Sequence, residues 1–240
     1  MHASFREQSV DLIPGVRIWS AHLDGLTRVE VETLTSHLEA GERARAARFH
    51  FEPHRRRSAA TRGLLRSLLG SLGESHPAAL RFVSGTHGKP ELTPGDDRGR
   101  LRFNLSHSAG WALFAVTRDR EVGIDLESGE RLAGDDEELR KLAARVLSGN
   151  EFAAWQKLPD AAARRAAFLR AWVRKEAFTK ATGAGISETF TGIEVALDAA
   201  DPQPVLLLRR AIEDEWEIQD LPAPAGFFAA VAVAARHSAT

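Results

Sequence analysis

The chain is predicted to fold as an α+β protein in which groups of short strands pack against long helices. Three observations predict it: a leucine stripe at helical spacing between residues 54 and 70, a run of alternating segments from 102 to 127, and a return to helices followed by strands in the second half. With 43% hydrophobic residues among 240, the chain can bury a substantial core, as one large domain or as two small ones.

Residues 13–20 read as a first strand, and residues 26–49 as a helical region with an acidic start and an arginine-rich end. A long helix over residues 54–70 follows, because Leu64, Leu65, Leu68 and Leu69 form one stripe and Gly70 stops it. TPGDDRGR at 93–100 is a polar loop. Strands at 102–106, 111–118 and 121–127 are expected to form an antiparallel meander, and LESGERLAGDDEE at 126–138 a hinge-like connection. Helices are expected over 136–147 and 161–181, and strands near 190–197, 203–209, 214–219 and 227–234. Each half offers helices and then a strand ending in small apolar residues, FNLSHSAGWALFAV in one and APAGFFAAVAVA in the other.

The formal net charge of −1 gives no argument for a nucleic-acid partner. The absence of cysteine removes a disulfide scaffold, a thiol nucleophile and a cysteine-built zinc site, and it suits a reducing cytoplasm. MHASFREQSVDL at the start lacks the continuous apolar core of a signal peptide. No interior run is long and apolar enough to span a membrane.

The chemistry is concentrated in EVGIDLE at 121–127 and WVRKEAFTK at 172–180. As a strand, the first turns Val122, Ile124 and Leu126 to one face and Gly123, Asp125 and Glu127 to the other, which is expected to be open. As a helix, the second spaces Trp172, Glu176 and Lys180 one turn apart along a single face. Where the two meet, three carboxylates crowd together and raise each other's proton affinity unless a cation sits between them. An all-oxygen donor set favours magnesium, with manganese also possible, over zinc. The plainer reading of Asp125 and Glu127 is the acidic outer face of a half-solvated strand.

Gly88 and Pro90 around Lys89 read as a turn whose backbone can approach a ligand, with Lys89 supplying positive charge. Ser106 and His107 lie at a strand end, a common place for binding groups. As neighbours on an extended chain they point in opposite directions, which suits phosphate or adenosine contact better than a nucleophile–base pair.

Together, RFHFEPHRRRSAATRGLLRSLLG, GKP, FNLSHS, VGIDLE, LSGNEF and WVRKEAFTKATGAGI resemble, in order and spacing, the signatures of the Sfp-type 4′-phosphopantetheinyl transferases across residues 45–186. The resemblance implies two similar α+β halves in a pseudo-twofold arrangement, each a small antiparallel sheet packed with helices, with coenzyme A in the cleft between them. A boundary near residue 120 would divide an N-terminal subdomain (1–120) contributing coenzyme A contacts from a C-terminal one (121–240) contributing metal and catalytic residues. The implied reaction is magnesium-dependent transfer of the phosphopantetheine group to a serine of an apo acyl, polyketide or peptidyl carrier protein, releasing 3′,5′-ADP.

By resemblance, Asp125, Glu127 and Glu176 are metal ligands, Glu176 and Lys180 are catalytic, and Lys180 also touches the coenzyme. Arg45, Arg57, Gly88, Lys89, Pro90, Ser106 and His107 complete the coenzyme A contacts, with Arg57 and His107 near the 3′-phosphate. Two positions depart from the family pattern: His54 stands where an acidic residue often precedes the arginine group, and Glu42 where a basic residue can occur. Trp172 reads as a core anchor, Glu151 as a tie to a basic neighbour, and Gly183 and Gly185 as a flexible helix exit. The implied partner is an acidic helical carrier domain docking near residues 128–140. Two halves in one chain suit a monomer. A noncatalytic coenzyme A-binding module and a magnesium-dependent pyrophosphate hydrolase are the alternative readings.

Overall fold

The structure, a computed structural model, describes residues 5–8, 13–85, 88–93, 100–132, 134–183, 190–198 and 216–235. The expected strand at 203–209 and Gly185 lie outside the described residues.

The first half begins with strands β1 (Phe5–Gln8) and β2 (Arg17–His22), followed by helices α1 (Arg28–Ser36), α2 (Ala40–Ala47) and α3 (Glu52–Leu72). A small hairpin of β3 (Phe82–Ser84) and β4 (Pro90–Leu92) carries the Gly88 turn, and β5 (Leu101–Ser108) and β6 (Trp111–Arg118) complete the half. The second half runs β7 (Val122–Ser128), α4 (Asp136–Val146), α5 (Gly149–Gln156), α6 (Ala161–Thr182), β8 (Trp216–Asp220) and β9 (Phe227–Ala234). The strands form one antiparallel sheet in the order β1-β2-β6-β5 and another in the order β7-β9-β8.

The expected helical region at 26–49 is two helices, the first opened by a Thr27–Glu30 capping box. Helix α6 is capped by the Asp160 carboxylate, which accepts from the Ala163 N–H at 2.8 Å, and it ends at Gly183 in the left-handed region (φ 67°).

Three apolar clusters build four layers. In the first half, Leu64, Leu65 and Leu69 of α3 pack with Trp19, Phe103 and Phe114 of the first sheet. In the second, Ala171, Phe178 and Ala181 of α6 pack with Ile218, Ala230 and Ala232. Between the sheets, Ile18, Leu113 and Ala115 meet Val122, Ile124, Leu126 and Val231. Alternate strand residues thus face the helices or the opposite sheet, which explains why the strands are apolar on both faces.

The meander expected over 102–127 does not form. Both edges of β6 are taken, by β2 and β5, so β7 pairs with β9 instead. It still runs beside β5, in the same direction, but side chains make the bridges. Asn104 Oδ1 accepts from the Ile124 N–H at 3.0 Å, Ser106 Oγ donates to Asp125 Oδ1 at 2.9 Å, and Ser108 Oγ accepts from the Ser128 N–H at 3.1 Å. The segment expected as a strand at 190–197 is a 3-10 turn (Phe190–Gly192) followed by irregular chain. Its apolar alternation reflects burial of Phe190, Ile193 and Val195 in the second core. The Val195 N–H is bound by the Glu151 carboxylate at 2.6 Å, not by a neighbouring strand.

The residue that sets the distance between β7 and α6 is Gly123. A Cβ there would lie 2.0 Å from the Ala177 carbonyl oxygen and 2.4 Å from the Ala181 nitrogen, both helix backbone that cannot swing aside. Gly123→Ala is therefore expected to lower unfolding free energy by about 3 kcal/mol, read from urea unfolding; a midpoint unchanged from the parent chain contradicts this packing.

Candidate active site

Strand β7 is buried along its whole length, so the face carrying Gly123, Asp125 and Glu127 is not the open one expected. Gly123 admits α6 against that face, and burial leaves Asp125 3% and Glu127 7% exposed. The helix brings Trp172, Glu176 and Lys180 to the same place. The result is a cleft of about 780 Å³ lined by Ser106, His107, Asp125, Glu127, Glu176 and Lys180, with Trp172 and Phe190 among its apolar residues.

Two cations hold the carboxylates. Lys180 Nζ donates to Asp125 Oδ1 at 2.6 Å and to Ser106 Oγ at 3.2 Å. Arg131, on the 3-10 turn after β7, donates to Glu127 and lies over the Trp172 ring at 5.5 Å. Charge is still not balanced. Burial, and then the Asp125 charge, push the Glu127 carboxyl above its ordinary range; the same two causes, in the same order, raise Glu176. Among the described residues no hydrogen bond reaches the Glu176 carboxylate, and Asp125 Oδ2 is buried without a partner.

This donor set fits a hard divalent cation: every candidate ligand is a carboxylate oxygen, one is orphaned, and mutual repulsion would fall on binding. Among the described residues no group of three His, Cys, Asp or Glu is gathered as a ready-made metal site. Lys180 and Arg131 instead hold Asp125 and Glu127.

A second cleft, of about 860 Å³, opens beside the first. Arg45, Gly88, Pro90 and His107 line it, and both His107 and Leu105 line the two clefts together. His107 is open to solvent at this junction, yet the protein mass around the ring desolvates it. The Lys180 and Arg57 charges add to that effect, and the imidazole titrates below its ordinary value.

Two expected contacts line neither cleft. Arg57 is held by Asp24 through Nε and Nη2, at 2.7 and 2.5 Å, beside the Gly110 turn. Lys89 Nζ donates to Glu121 at 2.7 Å and to the Val122 and Ala181 carbonyls at 3.2 and 3.1 Å, tying the β3–β4 hairpin to β7 and α6. Glu151 does tie to a basic neighbour: it accepts from the fully buried Lys175 at 2.5 Å, and burial lowers the Lys175 pKa.

Sequence reading missed Ser108 and Arg131 in the first cleft and Arg62 in the second. The two-residue spacing of Asn104, Ser106 and Ser108, repeated by Gly123, Asp125 and Glu127, is the available signal for the polar seam. Arg131 and Arg62 sit among other surface-type arginines and carry no such signal.

A family profile described as the 4′-phosphopantetheinyl transferase superfamily matches residues 121–234, and one described as 4′-phosphopantetheinyl transferase, N-terminal, matches residues 26–119. The chain is 37% identical over 219 residues to the 4′-phosphopantetheinyl transferase HetI of Nostoc sp., covering 91% of this chain and 87% of that protein. The chain belongs to the 4′-phosphopantetheinyl transferase superfamily. A putative 4′-phosphopantetheinyl transferase, slr0495 of Synechocystis sp., is 31% identical over 176 residues, 73% of this chain and 68% of its own. The 4′-phosphopantetheinyl transferase ffp of Bacillus subtilis is 27% identical over 184 residues, 76% and 77% of the two chains. The two-sheet α+β architecture is that of a phosphopantetheinyl transferase, with the carboxylate cleft where its sheets converge.

The raised carboxyl of Glu176 sets the sign of a stability change. A carboxyl whose folded pKa is raised contributes stability that is fully present below its unfolded pKa and is lost as pH rises through the folded pKa. Without divalent cation, Glu176→Gln removes that loss and should raise Tm by roughly 2–4 °C at neutral pH, corresponding to about 1 kcal/mol. The gain should shrink as pH falls into the ordinary carboxylate range; a pH-independent or negative difference contradicts the crowded-carboxylate geometry.

Proposed function

We propose that this phosphopantetheinyl transferase moves the 4′-phosphopantetheine group of coenzyme A onto a serine hydroxyl of an apo acyl, polyketide or peptidyl carrier protein. The observation that carries the reading is the junction of the two clefts at His107: carboxylates that suit a cation-bound pyrophosphate open directly onto an arginine-bearing cleft that suits a phosphorylated nucleoside. Residues 1–120 are assigned the coenzyme contacts and residues 121–240 the metal and catalytic groups.

Asp125, Glu127 and Glu176 would hold magnesium, or manganese in its place, and the bound ion would supply Lewis-acid stabilisation of the pyrophosphate. The serine oxygen attacks the β-phosphorus of the pyrophosphate, a new P–O bond to serine forms, and the bond to the departing 3′,5′-ADP breaks. Glu176, which lines the cleft beside Lys180 and whose carboxylate accepts no hydrogen bond among the described residues, takes the serine proton. Lys180 leaves Asp125 for the charge that builds on the phosphate oxygens. Ser106 and His107 orient the coenzyme at the cleft junction, and Arg45, Gly88 and Pro90 line its nucleoside end. Arg57 and Lys89 act from outside the clefts, Arg57 through its charge near His107 and Lys89 by holding the hairpin to α6.

Intact-mass measurement on a panel of apo carriers, with coenzyme A and with or without magnesium, tests the reading. A metal-dependent gain of one phosphopantetheine group is expected, and pyrophosphate cleavage without a carrier would replace the reading with a hydrolase. In the same assay Lys180→Ala is expected to lower kcat by about a hundredfold, and Glu176→Gln by about a hundredfold or more. Near-parent turnover in either removes that residue from its role. His107 provides a separate check: its lowered pKa should rise when 3′,5′-ADP binds, as seen in the imidazole NMR titration, because a phosphate dianion favours the charged ring.

A further inference from the structure

The second cleft contains a guanidinium to which neither the sequence reading nor the transfer reading gives a role. Arg62 projects from α3 into it, with its side chain 19% exposed and its guanidinium over the Phe82 ring at 4.2 Å. Its Nε donates to the Glu42 carboxylate. Among the described residues no hydrogen bond reaches its two terminal nitrogens, so the planar fork is fixed at its base and free at its tip.

Glu42 cannot neutralise the site. The carboxylate is 6% exposed and shared, its second oxygen accepting from Arg66 Nε at 2.7 Å. Arg66 is fully buried, and its other nitrogens are taken by Glu39 at 2.9 Å and by the Pro77 and Leu80 carbonyls at 2.9 and 3.0 Å. Glu39 thus balances Arg66, and among the described residues lining the cleft Glu42 alone faces Arg62 and the exposed Arg45 and Arg48. The excess positive charge suits a dianion. A phosphomonoester carries roughly −2 with three acceptor oxygens, and a rigid arginine fork binds it through two parallel bonds.

Resting on the transfer reading above, we propose that Arg62, oriented by Glu42 and Phe82, is the specificity residue that binds the 3′-phosphate of the donor and so separates coenzyme A from 3′-dephospho-coenzyme A. Arg57 does not occupy this role, because Asp24 holds its Nε and Nη2 and its side chain lies outside the cleft. Glu42 is then a positioning residue: a carboxylate at a position where a basic residue can occur in the family holds Arg62 in place.

The test compares kcat/KM for coenzyme A and for 3′-dephospho-coenzyme A in the parent chain and in Arg62→Met, with dissociation constants for 3′,5′-ADP and 5′-ADP by calorimetry on the same proteins. Discrimination between the two donors should fall by at least about tenfold, with the loss in the KM for coenzyme A, and the binding preference for 3′,5′-ADP should fall in parallel. An unchanged ratio with normal transfer overturns the assignment and leaves the transferase reading intact. Absence of transfer from either donor, with a 3′,5′-ADP preference that Arg62→Met abolishes, sinks the transfer reading and keeps the phosphate site. If Arg62→Met does not fold, Arg62→Lys decides: an ammonium on the Glu42 carboxylate offers no second pair of donors, so the ratio should still fall several-fold, and a parent-like ratio overturns the proposal.

Discussion

The contact between Gly123 and the backbone of α6 is the constraint on which the rest of the structure depends. A strand and a helix carrying one glycine between them come closer than any side chain permits, since a Cβ would lie 2.0 Å from the Ala177 carbonyl oxygen. That approach turns an acidic strand face into a buried one and sets Glu176 and Lys180 against Asp125 and Glu127. Because α6 also supplies Ala171, Phe178 and Ala181 to the second core, the geometry of the cleft and the packing of half the molecule are held by one element. Lys175 strengthens this coupling by donating to the Val146 and Phe190 carbonyls and to Glu151, locking α6 to its surroundings immediately beside Glu176.

The same closeness makes the site electrostatically unsettled. Three carboxylates share a desolvated cleft with two cations, and the consequences are raised carboxyls at Glu127 and Glu176 and an orphaned oxygen on Asp125. A fold optimised only for stability would not gather them, because crowding and desolvation both disfavour the ionised state. The arrangement becomes favourable when positive charge enters. Lys180 and Arg131 supply part of that charge, and both are partly exposed side chains able to move away when a stronger cation and a polyanion arrive.

Two kinds of arginine are distinguished by what already holds them. Arg57 and Arg66 have their guanidiniums committed to carboxylates and carbonyls. Arg62 is committed only at its base, and Arg45 and Arg48 stand exposed along the same cleft. A count of basic residues between 43 and 66 does not separate these classes; the partners do. The seam between β5 and β7 works in a comparable way, since Asn104, Ser106 and Ser108 replace the backbone ladder with side-chain bonds and leave polar groups facing the cleft at its end.

Much of this was legible in the chain. The long helices followed from apolar periodicity, and the strands β5, β6, β7 and β9 from alternation and turn residues, because both are local consequences of backbone geometry. The convergence of Asp125, Glu127, Glu176 and Lys180 was legible from two short motifs, since residues two apart on a strand and four apart on a helix share a face. The pairing of strands was not legible: three consecutive strands read as a meander, and only the filled edges of β6 sent β7 to β9. Nor was the irregular segment at 190–197, where burial alone imitates strand alternation. Local spacing thus determined which side chains can act together, while tertiary packing decided which faces are buried, which arginines are already spent, and where two clefts meet. Burial and pairing depend on residues far apart in the chain, and no local pattern records them.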